Sequence, residues 1–296
     1  MNVKRLTAGL AAAMMAISGF AFGALAEGRL GVPKDKGLWL QEPANEQARR
    51  VADFNMELMY IITVITVFVF LLVFYVMWRY RAKANPEPSK VSHNTLIEII
   101  WTGVPIVILA VIGATSLPLL YFQDTIPETE FAINVTGNQW NWTYAYPDHG
   151  GIEFTSSLVE DTVFADPAQK AEAEADLSEF LGWPAKLNAR LLDTDNRVVV
   201  PVNTKIKIHL TASDVIHAWA LPSLGVKLDA VPGRENLTWF EAEEVGTYYG
   251  QCSELCGKDH AYMPIAVEAV SQEDFDKWVA RAQANYADAA TTALGR

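Results

Sequence analysis

Two long uncharged apolar runs, followed by a series of short segments rich in β-branched and aromatic residues, predict a membrane-anchored all-β protein. The fold class that follows is a two-helix transmembrane hairpin carrying a β-sandwich or Greek-key barrel. A split in charge along the chain agrees with it. Of the 296 residues, positions 123–296 hold 12 basic and 27 acidic side chains (net −15), and positions 1–122 hold 11 and 8 (net +3). An acidic globular half argues against nucleic acid as a partner and for a basic protein. Two cysteines exclude a disulfide-rich scaffold, and 51% hydrophobic residues exclude a disordered chain.

The N-terminus reads as a secretory signal peptide over residues 1–26. Lys4 and Arg5 precede an apolar middle, and Ala24-Leu25-Ala26 supplies an A-x-A end with cleavage expected after Ala26. Residues 27–53 are then a polar exported segment punctuated by Gly and Pro. The hairpin follows over residues 54–122. Its uncharged runs, 58–78 and 99–122, each exceed the ~20 residues that cross ~30 Å of hydrocarbon. The short connection carries Arg79, Arg81, Lys83 and Lys90 against Glu87. Such a basic loop stays on the cytoplasmic side, so both mature termini and the acidic domain are expected on the exported side.

Residues 123–296 read as the exported domain. Strands are predicted at 131–137, 139–146, 151–155, 197–202, 205–211, 215–221, 236–242, 247–251 and 265–270. In the fifth, Ile206, Ile208 and Leu210 alternate with Lys205, Lys207 and His209, as a half-solvated strand requires. Pro147-Asp148, Gly150-Gly151, Asp195-Asn196, Pro232-Gly233 and Gly246 mark turns. An Ala/Glu-rich helical insertion is expected at 166–180 and a C-terminal helix at 272–285.

The only two cysteines lie in a loop between two predicted strands, with the spacing Cys252-x3-Cys256-x3-His260-x2-Met263. His217, on an earlier strand, can be brought alongside. Soft thiolate and thioether together with imidazole select copper. One Cys, two His and a weak Met would make a mononuclear blue-copper site. Two Cys about one helical turn apart can instead bridge two copper ions, each with one imidazole. Met263 and the Glu254 backbone carbonyl are then the weak ligands. A simple disulfide explains neither His260 nor Met263, and structural zinc does not use Met. His149 and His209 lack such neighbours and read as surface residues.

The segment Gly250-Gln251-Cys252-Ser253-Glu254-Leu255-Cys256-Gly257, with His260 and Met263, resembles the copper-A loop of the cytochrome c oxidase subunit II family. So do Asp214-Val215-Ile216-His217-Ala218-Trp219, Asp229-Ala230-Val231-Pro232-Gly233-Arg234, Gln139-Trp140-Asn141-Trp142 and the membrane-proximal His93-Asn94-Thr95-Leu96-Ile97-Glu98. The resemblance covers roughly residues 50–270 and points to the bacterial, mitochondrial-like branch. It implies a cupredoxin-like barrel on the hairpin, in the periplasm and anchored in the bacterial inner membrane. It implies dicopper ligands His217, Cys252, Glu254 (carbonyl), Cys256, His260 and Met263. The Glu254 carboxylate would also reach a magnesium ion shared with the catalytic subunit. The function implied is electron input to cytochrome c oxidase. Cytochrome c would reduce the dicopper centre, and haem in the catalytic haem–copper subunit I would then reduce oxygen to water with proton pumping.

Further roles are implied residue by residue. Trp140 resembles the family's exposed electron-input tryptophan, and Glu98 with His93 the entrance of a proton-uptake path. Asp195 and Asp214 match docking carboxylates for cytochrome c. The family usually has Tyr and Glu where this chain has Asn141 and Ala145, so the docking patch must differ locally. Asp148, Glu153 and Asp193 are the expected compensating acids. The chain has no Cys-x-x-Cys-His for haem, and His93 is the only histidine near the apolar runs. Haem ligation therefore falls to other oxidase subunits, and the active site is not complete on this chain. Two other readings compete. A copper-delivery membrane protein would want exposed, exchangeable ligands, and a nitrous-oxide-reductase-like copper-A enzyme would not need the hairpin.

Overall fold

The computed structural model describes residues 29–87 and 89–293, so the expected signal peptide lies outside the described residues. Helix α1 (Glu46–Arg79) and helix α2 (Thr95–Asp124) form the hairpin. Each has an asparagine cap. Asn45 accepts from the Ala48 amide, and Asn94 accepts from the Ile97 amide, satisfying donors that a helix start leaves free. This cap moves the first helix start into the segment read as polar and exported. Residues 46–53 extend α1 beyond its apolar run. No residue of α2 is buried, and Pro105 and Pro118 lie inside it without ending it. A 30-residue apolar helix with no covered face suits lipid and not a soluble core.

Two contacts fix how the helices pass each other. The Thr115 hydroxyl donates to Glu57 Oε1 (3.1 Å), and the Arg50 guanidinium lies 3.8 Å from the centre of the Phe122 ring. Both pairs belong to one antiparallel register.

The rest of the chain is a β-sandwich. Its strands are β1 (Arg29–Leu30), β2 (Phe131–Asn138), β3 (Asn141–Tyr146), β4 (Ile152–Ser156), β5 (Val198–Pro201), β6 (Ile206–Ala212), β7 (His217–Leu221), β8 (Val226–Ala230), β9 (Asn236–Phe240), β10 (Gly246–Gln251) and β11 (Pro264–Val270). One sheet runs β4-β3-β2-β6-β9, the other β1-β10-β11-β5. The β7–β8 ribbon touches strands of both sheets and closes one side between them. Ile133, Val135, Trp142, Tyr144, Ile206, Ile208 and Leu210 point inward from the first sheet, and Tyr248, Ile265 and Val267 from the second. The alternation predicted for Ile206, Ile208 and Leu210 is therefore the alternation of the core.

Between β4 and β5 stand α3 (Asp161–Ala165) and α4 (Pro167–Leu181), and α5 (Gln272–Ala293) follows the last strand. Phe154 of β4, Phe180 of α4 and Trp278 of α5 form one aromatic cluster, so the insertion packs on the sandwich. His149, expected at the surface, instead packs between the rings of Phe131 (4.8 Å) and Phe275 (5.2 Å). His209 pairs with Glu235 at 2.9 Å.

The hairpin is seated firmly on the sandwich. Asn45 Nδ2 donates to the carbonyls of Leu224 (3.0 Å) and Glu241 (2.9 Å). Arg49 holds Glu243 through both carboxylate oxygens (2.8 and 2.9 Å).

Candidate metal centre

Strand β10 delivers the chain to Cys252 and β11 carries it away after Met263, so the cysteine motif is one loop fastened at both ends. The Cys252 amide donates to the Met263 carbonyl (2.9 Å), and the Ser253 amide to the Ala218 carbonyl (3.0 Å). The second bond ties the loop to β7, which begins with His217. The two Sγ atoms lie 3.7 Å apart, and both cysteines are free and buried. His217 Nδ1 is 3.9 Å from Cys252 Sγ, and His260 Nδ1 is 3.6 Å from Cys256 Sγ. The Glu254 carbonyl oxygen is 3.3 Å from Cys252 Sγ, and Met263 is buried. Ligand atoms of His217, Cys252 and Cys256 all fall within 4.8 Å of one another, a group able to hold a metal. Two soft sulfurs, each with its own imidazole nitrogen, fit a pair of copper ions.

Burial and the neighbouring Cys252 push the Cys256 thiol up to about 12. Metal binding must therefore displace a tightly held proton.

A second layer of contacts orients these donors. With Nδ1 turned toward Cys252, the His217 Nε2–H donates to Asp214 Oδ1 (2.9 Å). The same carboxylate accepts from the amides of Val215 (2.6 Å) and Gln139 (2.7 Å). Burial pushes Asp214 up, but these hydrogen bonds outweigh it and hold the group below the usual carboxylate range. A carboxylate on the far nitrogen fixes the ring and its tautomer. The Gln139 side-chain amide (2.9 Å) and the Trp140 indole N–H (3.2 Å) both donate to the Cys256 carbonyl. Trp140, half-buried, thus leans on the loop itself. Trp142 is core, edge-on to His217 at 5.9 Å. Gly137 permits this approach, since a Cβ there would lie 3.0 Å from the His217 ring.

The other expected residues lie apart. Glu98 and His93 are at the far end of the hairpin, where Glu98 Oε1 accepts from the Asn94 amide (3.2 Å). Asp148, Glu153 and Asp195 are exposed, and Glu153 sits directly across from Ala145 in the β3–β4 pairing. Asp193 does not serve as a docking acid. It is fully buried, paired with Arg197 (2.9 Å) and bonded by the Tyr249 hydroxyl (2.7 Å). Asp214 and Gln139 were not legible as supports of the site, although an Asp three residues before a candidate ligand His is a usable signal.

Residues 131–270 match the family model of the cytochrome c oxidase subunit II periplasmic domain, and residues 33–119 that of its transmembrane domain. A probable cytochrome c oxidase subunit 2 of Rickettsia felis is 48% identical over 81% of this chain and 70% of its own length. The cytochrome c oxidase subunit 2 of Cereibacter sphaeroides is 44% identical over 86% of this chain and 83% of its own. The periplasmic domain of cytochrome oxidase subunit II of Bradyrhizobium japonicum is 45% identical, covering 55% of this chain and 99% of that one, with a TM-score of 0.46.

Proposed function

The chain belongs to the cytochrome c oxidase subunit II family, and from that membership we propose that cytochrome c docks on its periplasmic domain and delivers electrons at the cysteine loop. It is the electron-input subunit of an oxidoreductase complex, a membrane protein that associates with other oxidase subunits. In our reading it sits in the bacterial inner membrane against the catalytic haem–copper subunit I, with both mature termini and the sandwich in the periplasm.

One observation carries the assignment of the centre: paired sulfurs 3.7 Å apart, each with its own imidazole nitrogen at 3.6 or 3.9 Å. The sulfurs of Cys252 and Cys256, the imidazoles of His217 and His260, and the weaker Met263 and Glu254 carbonyl would hold the two copper ions. When bound, the dicopper centre takes up and releases single electrons. The Glu254 side chain is exposed and free to reach a magnesium ion shared with subunit I.

The chain's own residues do the rest. Asp214 holds His217 in one tautomer, and the buried sulfurs are shielded from water. Trp140 bridges the outer surface and the Cys256 carbonyl. Asp148, Glu153, Asp195 and the solvent-facing part of Asp214 draw in a basic partner. Glu98 and His93 stand at the cytoplasmic end of α2 as the entrance for protons bound for subunit I. Buried ligands do not suit a copper-delivery protein, which would exchange its metal through exposed ones.

Metal analysis of the full chain purified with its native partners tests the assignment. Two copper ions at this centre and a mixed-valence spectrum are expected, both lost in Cys252→Ser or Cys256→Ser. A single copper ion per chain at the loop would reject it.

A further inference from the structure

A cleft of about 500 Å³ opens where the hairpin meets the sandwich, remote from the cysteine loop. Its walls include Tyr121 and Phe122 of α2 and Trp239 of β9, with Phe122 and Trp239 edge to face at 5.7 Å. Arg50 covers Phe122 from the α1 side. Lys205 and Glu241 line the rim, and neither is in an ion pair among the described residues. The indole N–H of Trp239, buried in the wall, has no acceptor among the described residues.

The length of α2 gives this cleft a depth. At 1.5 Å per residue, Phe122 stands roughly 36 Å along α2 from Glu98, just beyond the ~30 Å of a hydrocarbon core. The cleft therefore opens at the level of the periplasmic headgroups. Its lining combines apolar and charged groups as a headgroup region does: the rings of Tyr121, Phe122 and Trp239 beside Glu46, Lys205 and Glu241. Arg50 is already held by Glu46, which leaves Lys205 and Glu241 as the free pair. An anionic lipid would satisfy the lysine and leave the glutamate unpaired. A choline headgroup offers no N–H to a carboxylate, whereas a primary ammonium does.

We propose that this cleft is a binding site for a zwitterionic phospholipid with a primary ammonium headgroup. Lys205 takes the phosphate, Glu241 takes the ammonium, and the glycerol end lies against Tyr121 and Phe122. The lipid wedges the hairpin against the sandwich.

The test uses the assembled complex in its own membrane, with a photo-crosslinking phenylalanine analogue in place of Tyr121. An adduct with the mass of a phosphatidylethanolamine is expected. A peptide adduct from another subunit, or no adduct, would overturn the proposal. Lipid counting by native mass spectrometry is the second arm, with complexes equilibrated in vesicles of phosphatidylethanolamine, phosphatidylcholine or phosphatidylglycerol. Retention of the ethanolamine lipid is expected to fall about tenfold in Lys205→Glu, the loss of one charge-assisted contact. Equal retention of all three lipids, or no change in the variant, would overturn it.

Discussion

Asp214 shows how much a single side chain can carry at this site. Its carboxylate binds His217, the amide next to it and the turn that holds Trp140. Asp214→Asn is therefore expected to do more than remove a surface charge. It should shift the copper absorption bands as well as weaken cytochrome c binding, and a variant with unchanged bands would show that the charge alone matters. Trp140→Phe removes the indole donor to the Cys256 carbonyl but keeps an aromatic ring. Binding should stay near wild type while reduction of copper within the docked complex slows sharply, as stopped-flow would measure. Cys256 gives a pH prediction. With its thiol pushed up to about 12, copper uptake must release protons, so apparent affinity should fall as pH falls. A competition titration between pH 6 and 8 that gave a flat affinity would contradict this. The four side chains proposed as ligands in the loop could be read as one cluster because their spacing is local. The Asp214–Gln139 link was not, because it joins segments 75 residues apart. Asp193 misled for the opposite reason: an acid in a turn-rich stretch reads as exposed until its buried partners Arg197 and Tyr249 are seen.

Among the elements, nine strands were legible, whether alternating like β6 or continuously buried like β5 and β7, and β1 and β8 were not. The β8 segment has only its two end residues buried, so it shows no period of two, and it is held by pairing with β7. The two residues of β1 are too few for any pattern, and only the edge of β10 makes them a strand. The start of α1 was hidden because its first turns are polar, gripping the sandwich through Asn45 and Arg49. Strand β2 has one position with no room. Gly137→Ala would place a methyl against the His217 ring and should cost about 1–3 kcal/mol while lowering copper retention, read by thermal melts and metal analysis. The seat of α5 has a pH signature. Burial lowers the His149 pKa, only partly opposed by Asp148 and Asp276. A histidine with a depressed folded value supports the fold above its unfolded pKa of ~6.5, and that support is lost as pH falls. Hydrogen-exchange protection factors in α5 should therefore fall below about pH 6.5, and His149→Leu should abolish that dependence.

For the whole molecule, the division of labour was visible in composition alone, an apolar hairpin under an acidic domain. The relative placement of the two was not, since it rests on contacts between residues nearly 200 positions apart, such as Arg49 with Glu243. The acidic surface should make docking steeply salt-dependent: the association rate with a basic cytochrome c should fall strongly between 10 and 200 mM salt, as stopped-flow would record. The antiparallel register of the hairpin acts as a ruler with a fixed graduation. One residue inserted between Thr115 and Phe122 would advance the helix by about 1.5 Å and turn it by about 100°. That would carry Phe122 away from Arg50 and tilt the electron-input domain off its seat. Length can vary in the loop between the helices, but along this stretch of α2 the chain can change its letters and not their number.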